Sequence, residues 1–168
     1  YTGGDGVQMI ASTHPTVSGN QSNVLTTAAD LSEASIEDLC IQIMNATNSR
    51  GLKISVMPKK LIVSPSEAFN AERILKSSLQ SGTANNDINP IMSMKELPGG
   101  QANLARISST TAWWIQTDAP EGMKLLMRRK LEKSMEGDFE TDNMRYKATE
   151  RYATGWTDPR ALYGTAGL

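Results

Sequence analysis

The sequence is poor in the residues that staple or metallate small proteins. Cys40 is its only cysteine in 168 residues. No disulfide can form within the chain, which excludes a stapled secreted scaffold. His14 is the only histidine, so a cysteine- and histidine-based zinc site lacks ligands. Net charge is −1, so a general basic character is also missing. Strong sequence-independent binding to nucleic acid needs many Lys and Arg on one face, because its affinity comes from counterion release. No apolar run reaches the roughly eighteen residues of a membrane span. No signal peptide opens the chain. The first residue is Tyr1, not Met, and Thr2-Gly3-Gly4-Asp5-Gly6 reads as a turn. The expectation is a chain that begins partway through a larger fold.

What is present is enough for a core: 39% of residues are hydrophobic. The length fits one domain, or one large domain plus part of another. Val7–Ala11 reads as a short edge strand, and Ser12–Thr27 as a long polar surface loop. Ile36, Leu39, Cys40, Ile43, Met44 and Thr47 form one face of an amphipathic helix. Asp30 or Ser32 is its cap, and Arg50-Gly51 its close. Lys53–Met57 and Lys59–Val63 read as strands broken by Pro58. Ser64-Pro65-Ser66-Glu67 is a helix-start signal, and that helix runs to about Leu79, with Ala68, Ala71, Ile74, Leu75 and Leu79 inward. Gln80–Gly100 is a second long loop, because Asn85-Asn86-Asp87-Ile88-Asn89-Pro90 cannot continue a helix. Asn103–Ser108, Ala112–Thr117 and Lys124–Lys130 read as strands. Lys133–Trp156 alternates loosely, with Asp142-Asn143 as a hairpin tip. A turn at Thr157–Arg160 and a last strand at Ala161–Tyr163 follow. The fold class is α+β (mixed α/β), with two helices on a sheet.

Each chemistry-bearing residue has a bland reading beside the sharp one. His14 precedes Pro15 in a polar loop, and no nearby residue supplies a convincing triad. It reads as a loop or interface histidine. Cys40 lies on the apolar helix face and reads as a packed thiol. Asp138, Glu140 and Asp142 alternate, so on a strand they share a face, but a calcium loop needs six or more oxygens. They read as a solvated hairpin face. Arg128-Arg129-Lys130 splits across both faces of a strand, which favours salt bridges to a neighbouring chain over a phosphate patch. The glycine turns at Gly3–Gly6 and Pro98–Gly100 lack phosphate-loop spacing. Trp113 and Trp114 point to opposite faces of a strand, one into the core, the other toward a sheet surface or a neighbour. No cofactor or metal site emerges. The two long loops are best assigned to assembly contacts. The alternatives are a hydrolase pairing His14 with a serine, and a module whose long loops hold a ligand.

Several stretches, in order, resemble one family. They are His14-Pro15, Gln21-Ser22-Asn23 and Ala29–Ser35, then Pro58-Lys59-Lys60-Leu61-Ile62-Val63 with Pro65, and Ala71–Ser77. Asn85–Pro90, Thr111-Ala112-Trp113, Arg145–Ala148 with Glu150-Arg151-Tyr152, and Gly155-Trp156 with Asp158-Pro159-Arg160 complete the series. Each is weak alone, but their joint order is fairly specific. It is similar to that of tailed-bacteriophage major capsid (major head) proteins.

The resemblance implies the Hong Kong 97-type capsid fold, with an axial domain whose sheet is flanked by helices and a peripheral domain with antiparallel strands. On that reading residues 28–119 are axial, while residues 1–27 and 120–168 belong to the peripheral domain. The N-terminal arm, extended loop and spine helix usual in the family are not visible. The implied function is a structural, non-enzymatic subunit that self-assembles into pentamers and hexamers of an icosahedral shell around double-stranded DNA. Implied partners are copies of itself, scaffold, portal and cement proteins, and packaged DNA held non-specifically, with no membrane. The implied location is the virion, with assembly in the host cytoplasm. The expected subunit-interface residues are His14, Asn89, Trp113, Trp114, Arg128, Arg129 and Arg160.

Overall fold

The computed structural model describes residues 2–80 and 87–167. A short hairpin opens the regular structure, β1 (His14–Thr16) paired antiparallel with β2 (Gly19–Gln21). Gly19 turns it at a φ of 117°, a conformation that favours glycine. The stretch expected as one long surface loop thus contains a hairpin, and buries both His14 and Asn23. Val7–Ala11 does not form the expected strand; only Gln8 bridges, back to Thr2.

Helix α1 (Glu33–Met44) begins where its cap sits. The Ser32 hydroxyl accepts from Ser35 N–H, and the Ser35 hydroxyl accepts in return from Ser32 N–H. The helix ends at Met44, earlier than Arg50-Gly51. Asn45 is its C-cap, and Gly51 instead turns a separate loop in which Asn48 Oδ1 accepts from the N–H groups of Arg50 and Leu52. Lys53–Met57 is not a strand; only Lys53 bridges to Thr47.

Strand β3 (Pro58–Val63) follows, with Pro58 at its first position, where a missing N–H is tolerated. Ser64 then starts a 3₁₀ turn over Pro65–Glu67 before α2 (Ala68–Lys76). Its hydroxyl donates to Thr110 O at 2.8 Å and does not cap the helix. Helix α2 stops at Lys76, so Leu79 lies outside it and is exposed. Asn89-Pro90, expected within a loop, starts helix α3 (Pro90–Met94). Asn89 Oδ1 accepts from the N–H groups of Ile91 and Met92, and Pro90 takes the first helical position. The Asn85-Asn86 part of that loop lies outside the described residues.

Strand β4 (Gln101–Asn103) meets the expected strand Asn103–Ser108 only at Asn103; residues 104–108 form no strand, because β3 offers no partner beyond Val63. The remaining strands are β5 (Trp113–Thr117), β6 (Met123–Gly137), β7 (Met144–Trp156) and β8 (Leu162–Thr165). A 3₁₀ turn at Pro159–Ala161 places β8 one residue later than expected.

The main sheet has the order β4-β3-β5-β8, parallel between β3 and β4 and antiparallel elsewhere. The parallel pair needs a long crossover, and α2 and α3 supply it. Ile36, Leu39 and Ile43 of α1 meet Leu61 and Val63 of β3, and Trp113 and Ile115 of β5. All seven are fully buried. Each aliphatic side chain among them stabilises the fold by about 1.5–3 kcal/mol relative to exposure. Trp113 also donates its indole N–H to Ala29 O at 3.1 Å, so its polar atom is satisfied.

Candidate assembly surfaces

Among the described residues, strands β6 and β7 pair only with each other and join no other sheet. They form one long antiparallel hairpin that leaves the main sheet between β5 and β8. Two β-bulges interrupt the ladder, one between Met127 and Arg129 and one between Arg129 and Glu132. Both place the extra residue in β6, so β7 alternates without interruption. Directly opposed residues share a face. One face therefore carries Met123 with Trp156, Leu125 with Thr154, Met127 with Tyr152, then Glu150, Lys133 with Ala148, Met135 with Tyr146, and Gly137 with Met144. The other carries Lys124, Leu126, Arg129 with Arg151, Glu132, Lys147, and Glu136 with Arg145. The first face is apolar on either side of Glu150 and Lys133, yet Met135 is 66% and Tyr146 75% exposed. Isolated two-stranded hairpins are marginal in water, and an apolar face of this size marks an interaction surface.

The root of the hairpin is built quite differently. His14 is 2% exposed. Its Nδ1 lies 2.7 Å from Asp5 Oδ2, its Nε2 3.3 Å from Asn23 Oδ1, and its ring stands edge-on to Trp156. Asn23 is also buried, and its amide N–H groups donate to the carbonyls of Met9, Pro159 and Leu162. Its Oδ1 accepts from Ala11 N–H at 2.9 Å. One side chain thus ties the N-terminal segment to the turn after β7 and to β8. A Cβ on Gly3 would lie 2.3 Å from the Trp156 ring, and one on Gly122 would lie 2.1 Å from Ala161 Cβ. Close packing of this kind fixes where the hairpin leaves the body.

Burial pushes the Asp5 carboxyl up, but hydrogen bonds from His14 and Val7 N–H and the His14 charge outweigh it, holding Asp5 below the ordinary aspartate value. Neither ring nitrogen of His14 faces a serine: the second meets an amide oxygen, so the cluster has the orienting half of a triad without a nucleophile. Cys40 is buried in the core, and desolvation pushes its thiol up to about 12, with Glu96 and Glu37 adding to the effect. That is packing behaviour, as the sequence reading expects.

The seven expected interface residues divide into two groups. His14, Asn89 and Trp113 are enclosed within the subunit, at 2%, 1% and 0% exposure. Their polar atoms are occupied internally; Asn89 Nδ2, for example, donates to Ile74 O at 2.6 Å. Trp114 lies on the other face of the sheet, its indole over Gly164, where a Cβ would come within 2.2 Å. Arg160 is half-buried and bonded to Asp158 and Gln21. Only Arg128 and Arg129 are well exposed, on β6 at the bulges, and Arg129 pairs with Glu132 at 3.3 Å. Asp138, Glu140 and Asp142 do not share a strand face as expected. They sit in the turn between β6 and β7, where Asp138 accepts from Thr141 and Arg145. Among the described residues no group of three or more His, Cys, Asp or Glu forms a metal site, and no helix is long and apolar enough to cross a membrane.

Sequence reasoning missed Asp5, Asn23 and the apolar hairpin face. Alternation of Met, Leu and Tyr could have signalled that face, but the two bulges break its period. Nothing local marks Asn23, whose partners include carbonyls 136 and 139 residues away.

A family model described as phage capsid protein matches residues 1–165. The chain belongs to the phage capsid protein family. A mixed α+β body with a projecting hairpin is thus the fold of a capsid protein, and the family places it in the virion as a structural component. No curated protein matches the chain. Among solved structures, the chain is similar to a virus-like particle from Pyrococcus furiosus, at 15% identity and a TM-score of 0.42, over 82% of this chain and 54% of that one. It is also similar to a phage-related protein from Bordetella bronchiseptica RB50, at 12% identity and a TM-score of 0.46, over 79% and 47%. The chain spans about half the length of these solved structures.

Proposed function

We propose that this capsid protein is the major head subunit of a tailed phage and adopts the Hong Kong 97-type fold. Copies self-assemble into pentamers and hexamers, and these into an icosahedral shell around double-stranded DNA. Residues 28–119 act as the axial domain, and residues 1–27 and 120–168 as parts of the peripheral domain. Assembly proceeds in the host cytoplasm, with scaffold, portal and cement proteins as further partners. The DNA is enclosed without base-specific contacts, which suits a net charge of −1.

The observation that carries the reading is the β6–β7 hairpin. An apolar face with exposed Met, Leu and Tyr side chains along its length is stable only when covered, and repeated heterologous contacts close identical subunits into rings. Arg128, Arg129, Trp114 and Arg160 remain the interface residues of this proposal. The test is electron microscopy of the purified full-length protein. Shells or capsomers are expected. A species that stays monomeric under all assembly conditions overturns the proposal.

A further inference from the structure

Charge is distributed unevenly along the β6–β7 hairpin. Its middle, residues 128–133 and 147–151, carries Arg128, Arg129, Lys130, Lys133, Lys147 and Arg151 against Glu132 and Glu150. Its tip, residues 136–145, carries Glu136, Asp138, Glu140 and Asp142 against Arg145. Only two ion pairs lie within these segments, Arg129 with Glu132 and Arg145 with Asp138. Among the described residues, the other charged groups of the middle and the tip form no ion pair. Arg129 and Arg151 even lie directly opposite each other across the ladder. Like charges in that position are destabilising; Glu132 answers Arg129, which leaves Arg128, Lys130 and Arg151 without an ion pair among the described residues.

Glu136, at the near end of the tip, is a diagonal neighbour of Lys147 at about 7–8 Å, but the far end of the tip cannot reach Arg128 or Lys130. Nine residues separate Arg129 from Asp138, about 30 Å of strand at about 3.3 Å per residue. That is several times the screening length of about 8 Å at physiological ionic strength. Arg128 and Lys130 of the middle and Glu140 and Asp142 of the far tip therefore find no partner in one another within a subunit, and the two sets are complementary in charge. A second copy provides both partners at once. Both outer edges of the hairpin are also unpaired, and an exposed edge invites contact with another chain.

We propose that the acidic tip of one subunit's hairpin docks on the basic middle of the hairpin of an adjoining copy. The proposal rests on the assembly reading above and deepens it by naming the contact. Exposed ion pairs are individually weak, so the contact sets register, partner choice and rate of encounter more than total affinity.

The test is a charge swap in full-length protein. A middle variant carries Arg128→Glu and Lys130→Glu. A tip variant carries Glu140→Lys and Asp142→Asn, since asparagine tolerates the φ of 55° at position 142. All substituted side chains are exposed, so circular dichroism of the unassembled protein should match wild type. Sedimentation should show each variant assembling about tenfold less than wild type, a change of the size expected from several lost pairs. The variant with all four substitutions should recover most of that loss, and raised salt should weaken wild-type assembly. If wild type assembles and the separate variants assemble equally well, or if the fourfold variant fails to recover, this contact is wrong while the assembly reading stands. If the middle variant forms normal particles that only lose nuclease-protected DNA, the basic section faces nucleic acid and the contact is again wrong. If wild type never assembles, both readings fall.

Discussion

Replacing Asn23 with alanine should loosen the joint between the hairpin root and the body. The side chain is 2% exposed and takes part in five hydrogen bonds. Its Oδ1 accepts from Ala11 N–H and lies 3.3 Å from His14 Nε2. Its two amide hydrogens are shared among the carbonyls of Met9, Pro159 and Leu162. A neutral hydrogen bond contributes a net of about 1 kcal/mol, and a buried group left without a partner costs about 1–3 kcal/mol. Carbonyls with a second lone pair in use, and water entering the vacated space, reduce the total. The expected loss is about 3–5 kcal/mol for Asn23→Ala. For a chain of this size that lowers the melting temperature by about 6–20 °C, at about 2–4 °C per kcal/mol. Asn20→Ala is the control: Asn20 is exposed on β2, three residues before Asn23, and surface changes stay within about 0.5 kcal/mol. Asn23→Asp separates the two sides of the network. It keeps the acceptor and loses the donors, setting a carboxylate against three carbonyls, so it should be at least as destabilising as alanine. The assay is urea unfolding of unassembled protein, followed by tryptophan emission, which reports on Trp113, Trp114 and Trp156. An Asn23→Ala loss below about 1 kcal/mol, or an Asn23→Asp variant as stable as wild type, refutes the network.

Two further outcomes follow from groups with displaced acidities. The Asp5 carboxyl titrates below its ordinary value in the folded chain, so it binds a proton less readily there than when unfolded. Its contribution is present above the unfolded value of about 3.9 and is lost as pH falls through the lower folded value. Thermal stability should fall on the acid side of about pH 4, and Asp5→Asn should flatten that limb while lowering stability at neutral pH; an unchanged limb refutes the role. Cys40, with its thiol pushed up to about 12 and its side chain in the core, should resist a thiol reagent at pH 8 in the folded protein and react in denaturant. Fast labelling of folded protein would show that α1 does not shield it.

Elements set by local chemistry were legible in the sequence. Helix α1 follows from apolar spacing and from Ser32, and β3 and β5 from short runs of β-branched and aromatic residues. Trp113 and Trp114 divide between the two faces of β5, as adjacent strand residues must. Asn89-Pro90 misled because the same dipeptide ends one helix and begins another. Proline cannot continue a helix, yet it fits the first position, and asparagine caps it. Only the tertiary setting of Ile91, buried beside α2, decides which applies. His14 and Asn23 misled for a different reason. A polar residue in a polar stretch looks like surface, and its burial depends on partners brought in by the fold. Exposure was easiest to read where it needed least tertiary information, at the cations Arg128 and Arg129.

The contrast between the hairpin's two ends joins these observations. At its root, glycines 3 and 122 admit contacts too close for any side chain, and buried polar groups lock the N-terminal segment to β8. Farther out, no other element among the described residues covers the exposed Met and Tyr side chains of the hairpin. A hairpin loose at its root would sweep through many directions, and a contact at its tip would carry a large ordering cost. A hairpin fixed at its root has already met most of that cost on folding. Its tip and basic middle are then held in one orientation relative to the core. For a shell built from many copies, the direction of the arm sets where each neighbour sits. The buried His14–Asn23 cluster therefore serves assembly through geometry, although neither residue reaches the surface.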